Sequence, residues 1–198
     1  KYKNKSVTPF SASLTGSKNI VSKINKLNPD IVHLHWVNAG MLSTELISQI
    51  NAPIVWSLHD MWAFTGGCHY TEGCDKYKME CGSCPVLRSD IELDLSRKVY
   101  RQKQKLYTDK CVNIVGLSKW MAKSAQESTL LKNQKIVNIP NPIDTTLFFP
   151  VSQKEARTKL NLPLNKKIVL FGAMGATSDP RKGYAHLEKA LELLDNDE

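Results

Sequence analysis

Apolar residues along this chain fall into two rhythms. Short, near-continuous runs rich in β-branched residues occur at 30–37 (DIVHLHWV), 53–59 (PIVWSLH), 111–118 (CVNIVGLS), 135–139 (KIVNI) and 167–173 (KIVLFGA). Such runs suit strands covered on both faces. Between them the spacing becomes helical. Ile20, Ile24 and Leu27 stand at i, i+4 and i+7, and Tyr184, Leu187, Leu191 and Leu194 form a second stripe. Ser118 is placed to cap a helix carrying Trp120, Met121 and Ala125, and Ser152 with Glu155 spells a capping box. Strand and helix in alternation predict an α/β fold: a Rossmann-like parallel sheet with right-handed crossovers and flanking helices.

The alternation breaks once. After Ile139 comes PNPIDTTLFFP, with Pro140, Pro142 and Pro150, which neither a helix nor a central strand tolerates well. A strand–helix pattern restarts at Lys166. Residues 140 to about 163 therefore read as a passage between two domains, 1–150 and 151–198, the second holding only a linker and an opening βα unit. The chain starts at Lys, and EKALELLDNDE ends within or just after a helical pattern, so a piece of a longer protein, truncated at both ends, is expected.

Composition adds a bias in partners. The 198 residues are 41% hydrophobic and 23% charged, ordinary values for a globular protein. Lys and Arg total 27 against 19 Asp and Glu, a net charge of +8. That balance favours anionic partners: nucleic acid, an acidic membrane surface or phosphorylated small molecules; the alternative is a solvated basic surface. The basic residues are spread through helices such as 96–107. No run approaches the ~18 apolar residues of a membrane span, and no charged-then-apolar leader opens the chain. The expectation is a soluble cytoplasmic protein, with peripheral contact to the anionic inner face of the cell membrane as one option.

PDIVHLHW, PIVWSLHD, GLSKWM, IPNPIDTTLFFP and KKIVLFGAMGATSDPRKGYAHLEKAL follow one another in an order that resembles the group 1 glycosyltransferases. The resemblance runs from about Asn28 to the end. It implies the GT-B arrangement, in which two Rossmann-like domains face each other across a cleft. The first domain serves the acceptor side and the second binds the donor. It further implies transfer of a sugar from a nucleotide-sugar donor to a saccharide or lipid-linked acceptor, hexosyl transfer with retained configuration, and no metal for the donor. The insert after HDMWAFTGG is similar to that of a subgroup acting in bacterial surface-polysaccharide assembly. Two departures stand out. The family's first βα unit has no counterpart, and its pair of glutamates in the second domain should lie beyond Glu198, so this piece alone is expected to be inactive.

Within that frame, DPRKG at 179–183 follows a Gly-containing loop and opens a helix near Lys182, where backbone N–H groups and the helix dipole favour a phosphate. Arg181 and Lys182 add positive charge. The resemblance gives Lys182 to the donor diphosphate. The family's usual Arg after the strand-end Gly is replaced by Ala173, which Arg181 is expected to offset. His59 ends a strand at the edge where α/β sheets hold ligands, and the resemblance makes it the catalytic residue. Asp60, Trp62 and His35 are expected on the acceptor side. His33 shares a strand face with His35 and reads as packed and hydrogen-bonded.

The stretch TGGCHYTEGCDKYKMECGSCP carries Cys68, Cys74, Cys81 and Cys84 in a C-x5-C-x6-C-x2-C spacing, with His69 beside the first. Three readings stay open: a structural zinc on these cysteines, packed thiols, or disulfides. A dithiol redox centre is set aside, because Pro85 drives Cys84 out of helical angles. Cys111, at a strand start, reads as core. Trp62 and Phe64 are expected to offer aromatic faces to the acceptor, held by the cysteine loop. A second class of function, a basic zinc-ribbon-like module gripping nucleic acid, suits the charge and cysteines. Against it, the aromatics do not interleave with a basic patch.

Overall fold

The computed structural model describes residues 8–195; the last three residues of the terminal helical pattern lie outside them. The chain divides into two compact units, 1–142 and 143–198.

In the first unit four parallel strands stand in the order β1-β2-β3-β4: β1 (Val32–Leu34), β2 (Ile54–Leu58), β3 (Val112–Gly116) and β4 (Ile136–Asn138). Val32 pairs with Ile54, which pairs with Val112. Ile54, Val112 and Ile114 are fully buried, as the continuous apolar runs predict for strands covered on both sides. Each such side chain contributes about 1.5–3 kcal/mol by leaving water. Helix α1 (Lys18–Leu27) precedes β1, α2 (Thr44–Ser48) crosses from β1 to β2, α3 (Leu95–Asp109) leads into β3 and α4 (Lys119–Glu127) joins β3 to β4. The sequence did not suggest α2, which is too short to show a period. Ser43 caps it, accepting from Leu46 N–H at 3.2 Å. The predicted cap of α4 is present, Ser118 Oγ accepting from Met121 N–H at 3.1 Å.

The β2–β3 connection holds the cysteine stretch. Residues 9–11 run antiparallel to 67–69: Ser11 N–H donates to Gly67 O at 2.8 Å and His69 N–H to Pro9 O at 3.0 Å. Gly67 has φ +124°, and a Cβ there would sit 2.6 Å from the Phe10 ring. Only glycine fits this crossing.

The second unit contains α5 (Gln153–Lys159) and α6 (Tyr184–Asp195). Ser152 caps α5 through Glu155 N–H at 3.2 Å. The strand expected at 167–173 is not formed. A strand needs a neighbour for its ladder, and none is present here among the described residues; Leu170 is 92% exposed. Cys111 also departs from expectation. It lies one residue before β3 and is exposed rather than core.

Candidate functional site

β1 and β2 end side by side, and their seam continues beyond the backbone ladder as side-chain hydrogen bonds. His33 Nε2 meets Ser57 Oγ at 2.9 Å, His35 Nδ1 meets His59 Nε2 at 2.9 Å, and Trp36 Nε1 donates to Asp60 Oδ2 at 3.1 Å. The carboxyl edge of a parallel sheet is where α/β proteins place ligands. His35 and His59 are both exposed. Their shared bond needs one ring N–H and one lone pair, which leaves His59 Nδ1 and His35 Nε2 as the ring nitrogens outside it. His33 is hydrogen-bonded as expected, but exposed rather than packed. Its pKa is lowered, first by desolvation and then by the nearby His35 and His59 charges.

Asp60 lies between this edge and the loop. Its Oδ1 accepts from Trp62 N–H at 2.8 Å, and its Oδ2 meets buried His69 Nδ1 at 2.6 Å, while His69 Nε2 reaches Ser11 Oγ at 2.9 Å. The carboxylate thus fixes the turn after β2, the ring of His69 and the indole of Trp36 together. Asp60, His59 and His35 therefore lie at one edge of the sheet.

Trp62 does not. It is 2% exposed and Phe64 is fully buried, so neither can face an acceptor. The 3-10 turn Trp62–Phe64 carries both rings inward, where Trp62 packs near Trp56 and donates Nε1–H to Ser11 O at 2.8 Å. Burying an irregular turn requires partners for its carbonyls. Side chains supply them: Lys103 donates to Trp62 O and Thr65 O, Tyr107 to Ala63 O and Ser128 to Phe64 O. Burial pushes the Lys103 pKa down to about 7.

Cys68, Cys74, Cys81 and Cys84 line one mostly apolar cavity of about 20 Å³ and are free thiols, as is Cys111. Burial pushes Cys68 up to about 11 and Cys81 up to about 12, so both hold their protons at neutral pH. Among the described residues no three His, Cys, Asp or Glu side chains are grouped so as to hold a metal ion. As placed, the four sulfurs do not fit a tetrahedral zinc site, and no chemistry here is routed through one. The arrangement is that of small residues closing a loop core, with Gly66 N–H donating to Cys81 Sγ at 3.2 Å.

In the second unit, Pro180–Lys182 form a 3-10 turn and α6 opens at Tyr184, two residues later than the helix start expected at Lys182. Arg181 grips Asp179 with both arms, at 2.9 and 2.7 Å, and this pairing holds the Asp179 carboxyl down at about 2. The guanidinium fork is thereby committed within the turn. Lys182 is exposed.

Trp36 and Asn38 take no part in the site expected from the sequence, where His69 stands only beside the cysteines and not as a partner of Asp60. The spacing held a signal for the first: HLHW and SLHD lie 24 residues apart on neighbouring parallel strands, which puts Trp36 beside Asp60. His69 and Asn38 lie in loops, where no period applies.

A parallel α/β sheet with polar chemistry gathered at its carboxyl edge is a sugar-transferase half in the resemblance drawn from the sequence, and comparison with known families agrees. The chain belongs to glycosyltransferase family 4, whose model matches residues 3–147. It is similar to a protein of Escherichia coli (strain K12) provisionally named as the colanic acid biosynthesis glycosyl transferase WcaC, with 26% identity over 92 residues. That match covers 41% of this chain and 23% of that protein. No solved structure matches the chain. Nothing in these matches supports the nucleic-acid module, and Lys182 and Arg181 lie beyond the family match. No helix among the described residues is long and apolar enough to cross a membrane.

Proposed function

We propose that the chain is the acceptor side, and the opening of the donor side, of a cytoplasmic glycosyltransferase. This enzyme moves a hexose from a nucleotide-sugar donor to a saccharide or lipid-linked acceptor in surface-polysaccharide assembly, with retained configuration. The observation that carries the reading is the His35–His59 pair at the carboxyl edge of a sheet that belongs to the family. In this scheme His59 touches the sugar at the reacting carbon and stabilises charge developing there. His35 fixes its ring, and Asp60 anchors the turn behind it. Lys182 carries the diphosphate contact. Arg181 shapes the turn through Asp179, rather than replacing the family's missing Arg. The basic balance suits an anionic donor and an acceptor held at an anionic membrane surface.

The test is thermal stabilisation of the complete two-domain enzyme across a panel of nucleotide sugars. One donor should raise the unfolding midpoint by several degrees, as expected for a ligand well above its dissociation constant. Lys182→Ala should remove most of that rise. No rise with any nucleotide sugar would contradict the reading.

A further inference from the structure

Two features of the carboxyl edge are used by nothing described so far. Trp36 is 50% exposed, yet its plane is fixed: its N–H is held by Asp60, and its ring lies 6.0 Å from the buried ring of His69. Asn38, two residues on, is 5% exposed, and its Oδ1 has no hydrogen-bond partner. An unsatisfied buried amide oxygen is costly, and folded proteins rarely leave one. Both residues line the same recess as His35, Ser57, His59 and Asp60. The recess holds about 10 Å³, room for one hydroxyl group or one water and nothing larger.

A pyranose ring matches this pair. It has an apolar C–H face that can lie on an aromatic ring and a rim of hydroxyls that donate hydrogen bonds. A rigid aromatic costs little ordering entropy when it binds, and here its orientation is set in advance. We propose that Trp36 and Asn38 seat one sugar ring of the acceptor: the C–H face rests on the indole, and one hydroxyl enters the recess to donate to Asn38 Oδ1. This places the ring beside His59. It makes Trp36, and not Trp62, the aromatic that contacts the acceptor, with Asn38 selecting a hydroxyl at one ring position. The inference rests on the glycosyl-transfer reading above and is tested separately from it.

The probe set is the methyl glycosides of glucose, galactose, mannose and fucose, observed by saturation-transfer NMR on the 198-residue chain. At least one should receive saturation mainly on the C–H protons of one ring face. Trp36→Ala should weaken its binding by about tenfold or more, Trp36→Phe should keep most of it, and Asn38→Leu should weaken it by about tenfold. The deoxy analogue lacking the buried hydroxyl should bind wild type and Asn38→Leu alike. Amide spectra confirm the fold of each variant, and Trp36→Leu, which keeps apolar bulk but lacks an aromatic face, serves with the same expected loss if the alanine variant does not fold. Absence of transfer from every glycoside, or undiminished binding by Trp36→Ala, overturns the proposal. Unchanged binding by Asn38→Leu means that the recess holds an ordered water only, and overturns it too. In the complete enzyme Trp36→Ala should leave nucleotide-sugar stabilisation intact. Failure of donor stabilisation in wild type would strike the transfer reading and leave the glycoside result to stand or fall by itself.

Discussion

At the scale of single residues, the edge is organised by side-chain hydrogen bonds that converge on Asp60. Asp60 takes donors from Trp36, Trp62 and His69, so one carboxylate aligns an exposed indole, a buried turn and a buried imidazole. Behind the turn, Lys103 is 1% exposed and bonded to two carbonyls of the buried loop. Its pKa near 7 in the fold, against about 10.4 in the unfolded chain, means that the unfolded state binds more protons throughout that interval. Stability therefore rises with pH from about 7 upward. His33, also lowered, acts in the same direction below about pH 6.5. The raised thiols oppose it above about pH 8.5, where unfolded cysteines lose protons that Cys68 and Cys81 keep. Urea unfolding should show stability climbing between about pH 7 and 8.5, then turning downward as the two thiols outweigh the one lysine. Lys103→Met should abolish the climb; equal slopes in both proteins would refute a buried titrating lysine.

At the scale of elements, the sequence carried most of the sheet and little of the loop. Continuous apolar runs locate β1 to β4, although only the central strands β2 and β3 are buried on both faces while His33, Val137 and Asn138 of the outer strands are exposed. Ser118 and Ser152 mark helix starts because their hydroxyls have a fixed partner. The run at 167–173 has the same composition and forms no strand: a pattern shows what can pair, not whether a neighbour is there. Trp62 lies inside and Trp36 at the rim for a related reason. Trp62 follows His59 closely in sequence, but the intervening turn points it inward. Trp36 sits in an apolar run, but β1 stops at Leu34 and leaves it at the rim. Asn38 and the carbonyl partners of residues 62–65 depend on contacts far apart in sequence, which no local pattern reveals. A tight element contact gives a direct check. Gly116 ends β3, and a Cβ there would lie 2.5 Å from Ala122 N on α4. Gly116→Ala should destabilise the first unit by about 1–3 kcal/mol, since the obstacle is backbone. A denaturation midpoint matching wild type would mean that α4 does not pack there.

At the scale of the molecule, the chain comprises one unit with a buried sheet and a second whose apolar segments lie open. Leu147, Phe148 and Phe149 are each more than 60% or about 60% exposed, and Met174 is 94% exposed. Hydrogen exchange should separate the two: amides of 54–58 and 112–116 protected for long times, those of 167–173 exchanging within the shortest labelling. Equal protection in both segments would show that 167–173 has found a strand partner. The family match and the histidine edge belong to the first unit, so chemistry is expected to depend on it most sharply. The most direct measurement is the initial rate of sugar transfer by the complete enzyme carrying His59→Ala. It would use saturating donor and the lipid-linked saccharides of the source membrane as acceptor. The expected result is a turnover reduced by about a hundredfold or more with an unchanged unfolding midpoint. Wild-type turnover in a fully folded His59→Ala enzyme would contradict the assignment of this edge as the site of transfer.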